Sequence, residues 1–324
     1  MKISVALCTY NGESYLARQL DSVFNQLFPV DQIVICDDGS TDDTINIIKK
    51  YQGLHSGIVE LYINEHTLGV RKNFEKAISF ANGDIIFLAD QDDVWPSEKV
   101  KEVVSMFKTN PGIKGVFTNG QLIDEDDHAV GVDLWQSFGY NTFFQKLLSN
   151  DSLFELMITN GHIVTGAAMA IRNVAKQDIL PFQHVPKLWH DEWIAYKLSS
   201  MDSLMPCNKN LFYYRIHSKQ QIGVYNIENI KKRCEKKERF YLKKIEPEEK
   251  IAYILHLYSR LKYAREIIDL FPQKRAVLQN LETEFKKEKR NIIKGFSFFE
   301  RKLRLFYWFV TKRFEISFKD VCLL

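Results

Sequence analysis

In the first ninety-three residues, short apolar runs rich in β-branched side chains alternate with helical patterns, and each run breaks off into a polar or acidic cluster. Ile3–Cys8, Gln32–Cys36, Ile58–Asn64 and Ile85–Ala89 read as strands. Tyr15–Phe28, Thr44–Tyr51 and Lys72–Ala81 read as the helices between them. That order is the signature of βαβ units and a mostly parallel sheet flanked by helices, an α/β fold. It also says where chemistry should sit, because ligands of open α/β sheets bind beyond the carboxyl ends of the strands. Here those ends read Thr9-Tyr10-Asn11-Gly12, Asp37-Asp38-Gly39-Ser40, Asn64-Glu65-His66 and Asp90-Gln91-Asp92-Asp93.

Further along, Pro96 suits the first turn of a helix running to about Lys108. Ile113–Thr118 and His162–Ile171 read as strands, Glu192–Ser200 as a helix, and Leu211–Ile216 as a last strand, with the region from Asp124 to Asn160 less regular. Past Tyr225 strand signals stop. Residues 227–324 read as largely helical, with basic stretches at Lys231–Arg239 and Lys286–Arg290 and a break at Glu246-Pro247. Two parts are therefore expected, a catalytic domain over 1–226 and a basic helical region over 227–324. Charge divides the same way: residues 1–226 hold 19 Lys and Arg against 27 Asp and Glu, net −8, and the remainder holds 25 against 14, net +11.

Bulk properties narrow the class. A chain of 324 residues that is 45% hydrophobic can bury a sizeable core, which excludes wholesale disorder. Its five cysteines form no C-x-x-C pair and no zinc spacing, which fits a reducing cytosol. The N-terminal apolar stretch is too short for a signal peptide and reads as the first strand. No run reaches the length needed to span a bilayer, and the longest candidate, Leu305 to Val310, is closely flanked by charge. The expected location is cytoplasmic, with any membrane contact peripheral at the inner face. Nucleic-acid binding is a poor account, since the basic residues are interleaved with acids and no binding motif is present.

Each cluster has a functional and a plainer reading. In Asp37-Asp38-Gly39-Ser40-Thr41-Asp42, a carboxylate can accept the imide N–H of a pyrimidine base, or the segment is a turn with Thr41 or Asp42 capping the next helix. Asp90-Gln91-Asp92-Asp93 crowds three carboxylates at the end of a buried strand, where they repel one another unless a cation intervenes. Such hard oxygen ligands suit Mg²⁺ or Mn²⁺ bridging a diphosphate, and the plainer alternative is an acidic surface loop capping a helix at Ser97. An EF-hand is excluded, because Trp95 stands at the sixth position and Lys101 at the twelfth. Asp191 in His190-Asp191-Glu192-Trp193 is a general base or an ordinary helix N-cap. Alternation puts Arg215 and His217 on one strand face, where Arg215 could fork onto a diphosphate and His217 reach phosphate or metal, or both are solvated at a strand end.

Together these clusters resemble the family 2 glycosyltransferases, inverting enzymes with the GT-A fold. The resemblance runs from Ser4–Gly12 through Cys36–Asp42 and the D-x-D loop Asp90-Gln91-Asp92 to His190-Asp191 and Tyr214-Arg215-x-His217, roughly residues 1–225. It implies that Thr9 and Asp38 bind the nucleotide base, with Tyr10 and Asn11 beside them on the donor side. Asp90 would face the ribose or phosphates, Asp92 the metal, and His217 would be a further metal or phosphate contact. Arg71 looks like the family's basic residue near base and phosphates, and Asp191 would be the base, preceded by His190 where relatives often have an acid. Ala89-Asp90-Gln91-Asp92-Asp93-Val94-Trp95-x-x-x-Lys99 looks most like the branch of bacterial rhamnosyltransferases for capsule, O-antigen and cell-wall rhamnan. The implied donor is dTDP-rhamnose or a UDP-hexose, and the acceptor a saccharide hydroxyl. No covalent nucleophile is needed, since in-line displacement requires only a stabilised leaving diphosphate and a deprotonated acceptor.

The end of the chain places Phe296, Phe299, Leu303, Phe306, Val310 and Phe314 at intervals of three and four, the pattern of a helix in a membrane interface or one packed on the catalytic domain or a second subunit. The first reading suits a polyprenyl-diphosphate-linked acceptor, and the last a homo-oligomer. Two other functions compete. Asp90-x-Asp92-x-Val94 also satisfies the haloacid-dehalogenase phosphatase pattern, in which Asp90 would be the phosphoryl acceptor, and a non-catalytic sugar-nucleotide-binding scaffold would keep the same cleft.

Overall fold

The computed structural model of the chain describes residues 1–142, 147–148, 153–183, 188–218, 220, 230–242, 244 and 249–295. They fall into two compact units, one built from residues 1–154 and 162–234, the other from 155–161 and the described residues from Glu235 onward.

The first unit is built on one sheet of β1 (Ile3–Thr9), β2 (Gln32–Asp37), β3 (Val59–Ile63), β4 (Ile85–Ala89), β5 (Gly115–Ile123), β6 (Ala129–Asp133), β7 (Met169–Arg172) and β8 (Leu204–Arg215). Strand order is β3-β2-β1-β4-β7-β5-β6, with β8 on β5. The first four strands are mutually parallel, whereas β7 runs antiparallel to both β4 and β5. Around the sheet stand α1 (Leu16–Phe24), α2 (Thr44–Leu54), α3 (Val70–Phe80), α4 (Lys99–Thr109), α5 (Leu134–Ser137), α7 (Lys176–Ile179) and α8 (His190–Ser200), while α6 (Leu153–Asn160) belongs mostly to the second unit. Every residue of β2 and of β4 is buried, as expected of parallel strands covered on both faces. Parallel register lays Thr9 beside Asp37 and Leu7 beside Ala89. The polar clusters that follow β1, β2 and β4 therefore emerge side by side.

Two expectations need correcting. The strand read over His162–Ile171 begins only at Met169, because Gly166–Ala168 is a 3₁₀ turn and residues 162–165 lie outside the sheet. The reason is local: the Gly166 N–H bonds the Asp191 carboxylate and the Ala167 carbonyl accepts from Lys99, so side chains take the backbone groups a ladder would need. The last strand starts at Leu204 rather than Leu211, since β5 offers it a parallel partner along its whole length.

Gly83 sets the entry to β4. A Cβ there would lie 2.6 Å from the Ser4 N and 2.9 Å from the Lys2 carbonyl, so only glycine lets the turn close onto β1. Gly83→Ala is expected to cost about 2–3 kcal/mol in urea unfolding followed by fluorescence. A loss within experimental error would mean that the two strands can separate without penalty.

The second unit packs α9 (Ile230–Tyr241), α10 (Lys250–Ile268) and α11 (Arg275–Gly295) with the end of α6. Arg260 donates to the carbonyls of Met157 and Ile158, satisfying the last turn of α6. Tyr253 bonds Glu284 at 2.8 Å, and Phe240 meets Tyr253 edge-on. No helix among the described residues is long and apolar enough to cross a membrane. The break at Glu246-Pro247 and the apolar stripe over 296–314 lie outside the described residues.

His256 makes this unit sensitive to acid. Burial, then the Arg260 and Lys237 charges, push its imidazole down to about 4. Between that value and about 6.5 the unfolded chain binds the proton and the folded one does not. The contribution is therefore complete above about pH 6.5 and lost as pH falls toward 4. Melting temperature should drop across that window in the wild type, and His256→Gln should flatten the fall. Parallel curves for the two proteins would count against this assignment.

Candidate active site

A cleft of about 660 Å³ opens at the carboxyl ends of β1, β2 and β4. Thr9, Tyr10, Asn11, Asp38, Asp90, Asp92, Asp191, Arg215 and His217 all line it. Arg71 does not. Its guanidinium turns to the Gln183 carbonyl and lies 5.9 Å from the Phe182 ring.

The β1 and β2 ends are knitted by their own side chains. Asp37 is the turn former, accepting from Gly39 N, Ser40 N, Ser40 Oγ and Thr9 Oγ1. The Thr9 hydroxyl is thus committed inward. Asp38 faces the cleft and accepts from Asn64 Nδ2 at 2.8 Å, Leu68 N at 2.7 Å and Gly69 N at 2.9 Å. A carboxylate has about four acceptor positions, so Asp38 keeps room for another donor. Asn11, at a φ of 49°, donates its N–H to Ser40 Oγ and accepts from Thr41 N, which makes it a tie between the two loops. Gln91 clamps Tyr10 through both backbone groups. Gly12 permits this approach, since a Cβ there would lie 2.3 Å from Gln91 Oε1.

The acidic loop does not act as one cluster. Asp92 faces the cleft with its Oδ2 2.9 Å from His217 Nε2, joining the two residues expected at a metal. Asp93 turns inward, is 2% exposed and accepts from Arg215 N. Burial, then Asp92 and Asp90, raise its proton affinity well above the ordinary carboxylate range. Asp90 is pushed up to about 8 by burial, then by Asp92 and Asp191, with Lys99 opposing. Lys99, wholly buried at the start of α4, lies 4.0 Å from the Trp95 ring and donates to the Ala167 carbonyl at 2.8 Å. Burial lowers it to about 7, while Asp93 and Asp90 hold it up.

Arg215 corrects another expectation. Its Nε bonds the Asp92 carbonyl, Nη1 the carbonyls of Asp124 and Glu125, and Nη2 the Asp127 carboxylate, with Tyr15 covering its face at 4.7 Å. A guanidinium so engaged fastens loops and has little left to fork onto a diphosphate.

Across the cleft, α8 begins at His190 with Trp189 as its N-cap residue, so Asp191 is inside the first turn and is not the cap. Its Oδ2 accepts from Gly166 N at 3.1 Å and its Oδ1 from Glu192 N at 2.8 Å. His190 stacks on Phe74 at 3.9 Å, and neither its ring nitrogens nor those of His162 have a hydrogen-bond partner among the described residues. Burial lowers the proton affinity of His190. His162 and Gly166 carry no local motif that marks them as site residues, and Lys99 closes the Ala89–Lys99 stretch of the sequence without a role attached to it.

Among the described residues, no three His, Cys, Asp or Glu side chains converge as a ready metal cage. The donor set nevertheless fits Mg²⁺ or Mn²⁺, which commonly use one or two carboxylates and take their other ligands from phosphates and water. Asp90 and Asp92 are such a pair; burial first and then the Asp92 and Asp191 charges raise the proton affinity of Asp90, and a dication would offset those charges.

Known proteins agree with this architecture. The chain is 29% identical over 221 residues to an uncharacterised glycosyltransferase of Nostoc sp., a match covering 67% of this chain and 65% of that relative, just under two thirds of its length. It is 34% identical over 108 residues to the dTDP-rhamnosyl transferase RfbG of Shigella flexneri, covering 32% of this chain and 37% of the relative. A mannosyltransferase of Pyrobaculum calidifontis, solved with GDP-Man and Mn²⁺, superposes with a TM-score of 0.53 at 14% identity, over 97% of this chain and 81% of that one. The fold is thus the expected GT-A arrangement of a mostly parallel sheet flanked by helices. The model for Glycosyl transferase family 2 matches residues 4–177, more than half of the sequence, and the chain belongs to that family.

Proposed function

We propose that the protein transfers a sugar, rhamnose or a hexose, from a nucleoside-diphosphate donor to a saccharide hydroxyl with inversion, in the synthesis of a bacterial surface polysaccharide. The observation that carries this reading is the convergence of Asp38, Asp90, Asp92 and Asp191 on one cleft. Asp38 would accept the imide N–H of the base through its remaining acceptor position. Asp90 and Asp92, with His217 beside Asp92, would hold Mg²⁺ or Mn²⁺. When bound, the metal supplies positive charge for the leaving diphosphate.

Asp191 would take the proton from the acceptor hydroxyl. Its two backbone N–H contacts fix the carboxylate at the start of α8, so it is oriented before the hydroxyl arrives. The likeness to the Shigella rhamnosyl transferase favours dTDP-rhamnose over UDP-hexoses. A polyprenyl-diphosphate-linked acceptor and contact with the inner membrane face are consistent with the basic, apolar-striped C-terminal sequence.

Melting curves with UDP, dTDP, UDP-glucose and dTDP-rhamnose, with and without Mn²⁺, test the reading through binding alone. A nucleotide-dependent rise that requires the metal is expected, and its absence for every nucleotide overturns the assignment. Asp191→Asn should lower transfer about 10³-fold and leave nucleotide affinity within about twofold. Unchanged transfer would remove Asp191 as the base.

A further inference from the structure

Lys99 is fully buried, yet nothing in the proposed reaction uses it. Its surroundings join the two halves of the site. On one side its charge is felt by Asp93 and Asp90, the inner and outer members of the acidic loop. On the other, its ammonium donates to the carbonyl of Ala167. Ala167 is the middle residue of the 3₁₀ turn whose first residue, Gly166, donates its N–H to Asp191. Two aromatic rings also face the ammonium, Trp95 at 4.0 Å and Phe212 at 5.1 Å. Burying an ammonium costs several kcal/mol unless its neighbours compensate, so a hydrophobic residue would be the easier filling for such a space.

We propose that Lys99 is a positioning residue for the transfer reaction, fixing the Gly166–Ala168 turn, and through it the Asp191 carboxylate, against the acidic loop. The inference rests on the role given above to Asp191. The turn has no ladder of its own at Gly166 and Ala167, because those backbone groups bond the side chains of Asp191 and Lys99. Without the ammonium the Ala167 carbonyl loses its donor, the turn keeps only its own bonds from Ala168 N–H to Thr165 and from Met169 N–H to Gly166, and a shift at Ala167 carries with it the N–H that orients Asp191. The acidic loop would keep its cleft-facing members, since Asp92 is held independently by His217 and by Arg215 on its carbonyl. Loss of Lys99 should therefore act on the chemical step more than on nucleotide binding.

The test is a double-mutant cycle of Lys99→Met and Asp191→Asn in the full chain, reading acceptor-independent release of UDP from UDP-glucose or dTDP from dTDP-rhamnose, whichever the wild type consumes faster. Affinity for the matching nucleoside diphosphate with Mn²⁺ is measured in parallel. K99M is expected to lower kcat about 30-fold, with KM and nucleotide affinity within about twofold, and the double variant should be no slower than D191N alone. Lys99→Arg, which keeps a cationic donor, should recover part of the rate. Multiplying losses in the double variant, or equal losses of rate and nucleotide affinity, would overturn the proposal. Should K99M not fold, the cycle of K99R with D191N reads the same coupling, because a longer guanidinium displaces the Ala167 carbonyl. A wild type that binds no nucleotide with Mn²⁺ would instead remove the glycosyl-transfer reading before any variant is compared.

Discussion

Mutual repulsion among carboxylates at the end of β4 is the constraint around which this site is arranged. Asp90, Asp92 and Asp93 follow a strand whose every residue is buried, so water cannot screen all of them. The protein meets each charge differently. Asp93 is drawn inward to the Arg215 N–H and into the field of Lys99. Asp92 takes His217 as its neighbour. Asp90 is left with Asp92 and Asp191 as adverse company and a proton affinity far above the usual carboxylate range. The unbalanced charge is thus concentrated on the cleft face, where a dication and a diphosphate can use it.

The loops around that charge are tied together mostly by groups that look free in the sequence. Arg215 illustrates the point. Strand alternation correctly brings it to the same end of the sheet as His217, and from there a fork onto phosphate is a natural expectation. Its donors are instead taken by three carbonyls and the Asp127 carboxylate, because the Asp124–Asp127 turn folds over it. Backbone carbonyls do not appear in a residue list, so competition from them cannot be read from side-chain types.

The strand ends were legible for the opposite reason. Parallel strands buried on both faces are continuous apolar runs, and their breaks into Asp37-Asp38 and Asp90-Gln91-Asp92 mark one edge of one sheet. Once β1, β2 and β4 are parallel neighbours, the clusters must converge. Of the far wall, Asp191 was legible and the turn that holds it was not. Gly166 and Ala167 bond the side chains of Asp191 and Lys99, which are distant in sequence, and period and propensity carry no trace of such bonds. Arg71 shows the limit of resemblance: the residue type and position in the chain fit, yet its head group leaves the cleft for the Gln183 carbonyl.

The division of charge between inside and cleft also bears on how Asp191, the proposed base, is accommodated near the acidic loop. Burial, then the Asp92 and Asp191 charges, raise the proton affinity of Asp90, and a further uncompensated anion in the loop would add to that cost. Turning Asp93 inward puts its charge where Lys99 opposes it. Two backbone N–H groups hold the Asp191 carboxylate in place at the start of α8, on its own side. The buried ammonium and the cleft-lining carboxylates are therefore parts of one electrostatic arrangement, with its positive member hidden in the core and its negative members on the cleft.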